Sequence, residues 1–127
     1  MSKTEIKTEN APSAIGPYSQ GIKAENLIFT SGQIPINPVT GEIVEGGIAE
    51  QTKQAFENLK VVLNAAGADF SDVIKTTVFM KDLGDFGKLN EIYAAYFTEP
   101  YLARSCIEVA RLPRDALVEV EALAVIG

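Results

Sequence analysis

Near its C-terminal end the chain carries two strand-like segments whose charges sit where strands usually meet protein. Side chains alternate along Ala103 to Leu112, so Arg104, Cys106 and Glu108 share one face and Ser105, Ile107 and Val109 take the other. In the second segment Glu119 and Glu121 share a face with Leu117, Leu123 and Val125, while Val118, Val120, Ala122, Ala124 and Ile126 make the opposite face wholly apolar. A strand apolar on one face and nearly so on the other is expected to be buried on both. A carboxylate placed there is costly unless it is paired, hydrogen-bonded or used.

The rest of the chain limits how those charges can be used. Its 127 residues suit one domain spanning 1–127, and 46% hydrophobic residues are ample for a core. No apolar run approaches the ~20 residues of a membrane span, and the polar opening Met1-Ser2-Lys3-Thr4-Glu5 lacks an apolar signal segment. Cys106 is the single cysteine, so an internal disulfide is impossible. A cytoplasmic protein is the expectation. There is no histidine, so neither a zinc site of the usual kind nor a Ser-His-Asp or Cys-His apparatus can be built within one chain. The net charge of −6 argues against nonspecific binding to nucleic acid.

Periodicity orders the chain as strands, helix, strand, helix and two strands. Thr4 to Thr8 is a possible short strand. A Pro-, Gly- and Ser-rich stretch from Asn10 to Gly21 reads as a structured loop. Gly21 to Glu25 and Leu27 to Ser31 read as strands around a tight turn near Asn26. Ile48 to Ala66 is helical, with Ala55, Phe56, Leu59, Val62, Leu63 and Ala66 on one face and Gly67 closing it. Val73 to Lys81 is a β-branched strand. A second helix is expected from an N-cap at Asp85, burying Phe86, Leu89, Tyr93, Tyr96 and Phe97 ahead of Pro100. Two helices cover one face of a sheet. The other face needs a cover, and a further copy of the chain is the economical one, so a homo-oligomer with its site at or near the interface is expected.

The residue types leave several chemical roles open. The Arg104 fork suits a carboxylate ligand, or equally a structural ion pair with Glu119 or Glu121. Those two carboxyls share a face two residues apart, so in an apolar setting one would titrate high and handle protons, unless both serve an interface. Cys106, beside Arg104 but without a histidine base, reads as small and buried rather than nucleophilic. Tyr18 with Gly16-Pro17 can wall a pocket, and Gly32 in Ser31-Gly32-Gln33 permits close approach of a ligand to the backbone.

Several of these pieces, in order, resemble the reactive intermediate deaminase A family, also called the YjgF/YER057c/UK114 family. They are Asn10-Ala11-Pro12, Ile15-Gly16-Pro17-Tyr18-Ser19-Gln20-Gly21, Phe29-Thr30-Ser31-Gly32-Gln33-Ile34-Pro35, Gln54-Ala55-Phe56-Glu57-Asn58-Leu59, Ala103-Arg104-Ser105-Cys106 and Glu119-Val120-Glu121-Ala122. The resemblance runs almost end to end. It implies an α+β, Bacillus chorismate mutase-like fold: a mixed six-stranded sheet, two helices on one face, and a homotrimer whose sheets line a central barrel, with clefts between subunits. A simple reading pairs the last two strands as a hairpin; the resemblance instead inserts the final strand antiparallel between two earlier ones.

The implied activity is hydrolysis of short 2-imino or enamine acids, such as 2-iminobutanoate and 2-iminopropanoate, to 2-keto acids and ammonia. Such species arise from pyridoxal-phosphate enzymes such as threonine dehydratase. By the same resemblance Arg104 binds the substrate carboxylate and Glu119 holds or activates water. The Cys106 backbone and the Gly32 carbonyl, in the Ser31-Gly32 segment, contact the ligand, while Tyr18 and Asn90 shape the cleft. No metal or organic cofactor is implied. Leu102 stands where many members have proline, and Thr98 to Tyr101 looks shorter than usual; both changes border the cleft. Two competing readings are an endoribonuclease or translation inhibitor, and a non-enzymatic trimer that binds small ligands or acts as a chaperone.

Overall fold

A computed structural model describes residues 2–127. Six strands form one sheet: β1 (Lys3–Ile6), β2 (Gly21–Ala24), β3 (Leu27–Thr30), β4 (Val73–Met80), β5 (Ala103–Glu108) and β6 (Val118–Val125), in the order β1-β2-β3-β6-β4-β5. Helices α1 (Ile48–Ala65) and α2 (Phe86–Tyr93) lie on one side of it. The sheet is mixed: β4 and β5 run parallel, and every other pairing is antiparallel. No β5–β6 hairpin forms. β6 sits in the middle, antiparallel to β3 and β4, and β5 is left at the edge.

The apolar face of β6 explains this placement. Val118, Val120, Ala122 and Ala124 are buried, against Phe56, Leu59, Val62 and Leu63 of α1, which show no exposed surface. Central position gives this strand partners on both edges and lets its apolar face meet the longer helix. α1 ends as its pattern implies, with Gly67 at φ +85, in the left-handed region that glycine tolerates. An aromatic cluster joins α1 to the segment after α2: Phe56 stacks on Tyr96 at 5.1 Å and meets Tyr93 edge-on at 5.6 Å.

Three local expectations need correction. The first strand runs Lys3–Ile6 and not Thr4 to Thr8. Asp85 does not cap α2 through its side chain; a 3₁₀ turn, Leu83–Asp85, leads into the helix. There Asp82 Oδ1 accepts from Gly84 N at 2.7 Å and Glu108 Oε1 from Leu83 N at 3.0 Å, so Glu108 is used structurally. Finally, Tyr96 and Phe97 lie beyond the end of α2, Tyr96 is only half-buried, and Phe86 is 36% exposed.

The sheet face away from the helices is open in the single chain. Phe29, Ile107 and Glu121 are exposed, and Glu119 and Leu123 are half-buried. The expectation that β6 is buried on both faces therefore holds for the helix side alone.

Candidate active site

Pairing through β4 decides how the charged residues relate. Thr76 is the partner of both Arg104 on β5 and Ala122 on β6, and Thr76 faces the helices with no exposed surface. Arg104 and Cys106 thus point to the helix side. Phe79 is the partner of Glu119 and Ile107, and Thr77 of Glu121 and Ser105, so both glutamates point to the open side. An ion pair between Arg104 and either glutamate of its own chain is ruled out, because the sheet lies between them.

On the helix side, α2 supplies the surroundings of Arg104. Arg104 Nη1 donates to Asn90 Oδ1 at 2.7 Å, and Cζ lies 4.7 Å from the Tyr93 ring centroid and 5.2 Å from that of Phe86. The Tyr93 hydroxyl shares a buried 2.8 Å hydrogen bond with Thr76 Oγ1. Burial pushes the Tyr93 phenol up, against the Thr76 hydrogen bond and the Arg104 charge, so it stays neutral. A cavity of about 470 Å³ opens here, lined by Asn90, Tyr93, Ala94, Tyr101, Leu102 and Arg104. Cys106 lies farther along the face, its Sγ 3.4 Å from Met80 Sδ. Burial pushes its thiol up although Arg104 acts the other way, which suits a small lining residue and not a thiolate nucleophile.

On the open side, Glu119 sits against the Ser31–Gly32 segment. A Cβ at position 32 would collide with the Glu119 carboxylate as it lies, so a larger residue there would push that side chain aside. Burial pushes the Glu119 carboxyl up, and the neighbouring Glu121 charge adds to it. Two-way backbone hydrogen bonds between Gln33 and Val120 fix the segment to β6. Ser31 Oγ donates to the Ser19 carbonyl at 2.6 Å and Ser31 N to the Gln20 carbonyl, so this hydroxyl is committed to holding the preceding loop. Gln20 holds the same loop through Thr8 N and the Thr8 and Pro12 carbonyls. Tyr18, on that loop, is 54% exposed and with Gly32 lines a hollow of about 190 Å³.

The site residues therefore fall into two groups. Asn90, Arg104 and Cys106 gather at the β5 edge, on the helix side; Tyr18, Ser31, Gly32 and Glu119 gather where β3 ends, on the open side. Sequence reasoning missed Phe86 and Tyr93 as neighbours of Arg104, because a spacing of aromatic residues along one helix face is also what a core demands. No group of three or more His, Cys, Asp or Glu side chains that could hold a metal occurs among the described residues. No helix among them is long and apolar enough to cross a membrane.

A family model described as Endoribonuclease L-PSP matches residues 8–126. The chain is 56% identical to the 2-iminobutanoate/2-iminopropanoate deaminase of Escherichia coli K12, covering 98% of each sequence. It is 50% identical to the mouse protein of the same name, covering 96% of this chain and 90% of the mouse protein. The crystal structure of E. coli TdcF with bound serine superposes with a TM-score of 0.92 at 47% identity, covering 98% of this chain and 99% of that one.

Proposed function

The chain belongs to the L-PSP, or YjgF-type, family, and on that footing we propose that it is a 2-iminobutanoate/2-iminopropanoate deaminase, hydrolysing short 2-imino acids to 2-keto acids and ammonia. What carries the assignment at the site is an Arg104 guanidinium that is half-buried, aligned by Asn90 and unmatched by any carboxylate among the described residues. It is suited to take the ligand's carboxylate through its remaining N–H groups.

In this reading an imine held by its carboxylate needs little further activation. Water adds to C2 as the C=N π bond opens, and a proton reaches nitrogen. In the resulting carbinolamine the hydroxyl proton passes to the amino nitrogen as the C–N bond breaks, leaving the keto acid and ammonia. Glu119 takes the proton from water and returns it to nitrogen, for which a raised carboxyl pKa is appropriate. The Cys106 backbone, the Gly32 carbonyl and Tyr18 line the ligand, and Asn90 and Ser31 complete the cleft.

Because Arg104 and Glu119 lie on opposite faces of one sheet, the reading requires two copies: Arg104 of one faces Glu119 of the next. A homotrimer of chorismate mutase-like form, its open sheet faces turned inward, would place three such clefts between subunits and cover Phe29, Leu123 and Ile107. The single cysteine suits a cytoplasmic setting.

The test generates 2-iminobutanoate from threonine with threonine dehydratase and traps the imine with semicarbazide. The expected result is a loss of trapped imine in proportion to added protein, with faster 2-oxobutanoate release. Unchanged trapping, with 2-oxobutanoate binding intact, would leave only the non-enzymatic ligand-binding reading. The family description favours testing a second activity: RNA cleavage in chelator that tracks Glu119 would establish the nuclease reading, against which the −6 charge stands.

A further inference from the structure

Phe86, Asn90 and Tyr93 recur along α2 at the spacing that puts side chains on one helix face. All three meet the Arg104 guanidinium. Two present aromatic rings to its carbon, at 5.2 and 4.7 Å, and the third accepts from Nη1 at 2.7 Å. The cradle is tied back to the sheet, since the Tyr93 hydroxyl bonds Thr76, the β4 residue paired in register with Arg104.

None of these partners carries a negative charge. Among the described residues the one ion pair within 4.0 Å is Arg111–Asp115, on the surface. Withdrawing a charge from water is costly unless it is paired and hydrogen-bonded. Here ring faces and a neutral carboxamide hold the guanidinium in place, and its charge is left for an incoming anion. An aspartate at position 90 would make the same hydrogen bond while cancelling that charge.

We propose that Phe86, Asn90 and Tyr93 are positioning residues that orient Arg104 without neutralising it, so that the ligand's carboxylate becomes its only counter-ion. The inference rests on Arg104 binding the substrate carboxylate. It moves Asn90 from shaping the cleft to supporting the residue that holds the ligand.

The test measures 2-oxobutanoate binding by calorimetry, and separately kcat and KM for 2-iminobutanoate, on the full-length protein. Phe86→Leu keeps the bulk and removes the ring; it should raise Kd and KM about two- to fivefold. Asn90→Asp should raise both about tenfold or more, by setting a carboxylate beside the ligand's own. In both variants kcat should stay within about twofold of the parent, the signature of lost ground-state binding. Phe86→Tyr should restore the parent constants. The cradle is overturned if Asn90→Asp binds 2-oxobutanoate as the parent does, if kcat falls while KM holds, or if Phe86→Tyr behaves like Phe86→Leu. If the binding pattern holds but the parent fails to hydrolyse the imine, the deaminase reading falls and the cradle stands. If the parent neither hydrolyses the imine nor binds 2-oxobutanoate, both fall.

Discussion

In the proposed reaction Glu119 combines a demand of chemistry with a cost to folding. Its carboxyl titrates above the usual carboxylate range because of burial and the Glu121 charge, and a base must be deprotonated to act. The acid limb of kcat should therefore lie above the ordinary range, and Glu121→Gln should move it toward lower pH by removing a like charge. A limb unmoved by Glu121→Gln would separate it from Glu119. Glu119→Gln should lower kcat by about 10²–10⁴ with little change in KM. A carboxyl whose folded pKa is raised binds more protons in the folded chain than in the unfolded one. Stability therefore falls as pH rises through that interval, and the ionised group is a penalty above it. Glu119→Gln should remove the penalty, so its thermal midpoint at neutral pH should equal or exceed the parent's while activity is lost. For Arg104, lysine keeps the charge but not the fork; Arg104→Lys should reduce kcat/KM about a hundredfold or more with the assembly intact.

The elements serve mainly to hold these side chains still. Asn58 of α1, 1% exposed, donates from Nδ2 to the Ile34 and Ile36 carbonyls at 3.0 and 2.9 Å, anchoring the chain just beyond Gly32. Asn58→Ala should leave both acceptors bare and cost about 2–4 kcal/mol in urea unfolding. A loss below that range would mean the loop is held from elsewhere. Strand alternation was legible wherever both faces had a clear character: the apolar face of β6 and the Arg104–Cys106–Glu108 face of β5 lie as the alternation requires. Alternation cannot relate one strand's faces to another's. That Arg104 and Glu119 point away from each other depends on both pairing with β4, a long-range register carrying no local signal. The insertion of β6 between β3 and β4 was likewise invisible to periodicity and came from the family resemblance. Asp85 does not cap because the chain enters α2 from a 3₁₀ turn, whose own N–H groups donate to Asp82 and to Glu108, the second from a strand distant in sequence.

In the molecule as a whole, the open sheet face and the divided site point the same way. Phe29 and Ile107 are 48% and 45% exposed on the uncovered side, and the carboxylate proposed to activate water lies there too. In the proposed trimer, sedimentation should give about three times the 13.7 kDa of one chain. Phe29→Glu should shift the protein toward smaller species and lose activity together with assembly; a monomer of full activity would refute the shared cleft. The most direct measurement mixes two inactive proteins, Arg104→Ala and Glu119→Gln, under conditions that exchange subunits. Each mixed interface that joins an intact Arg104 to an intact Glu119 forms a working cleft. An equimolar mixture should then recover about a quarter of parental imine hydrolysis, as random cyclic assembly requires. Exchanged mixtures that stay as inactive as the separate variants would contradict a site built from opposite faces of two chains.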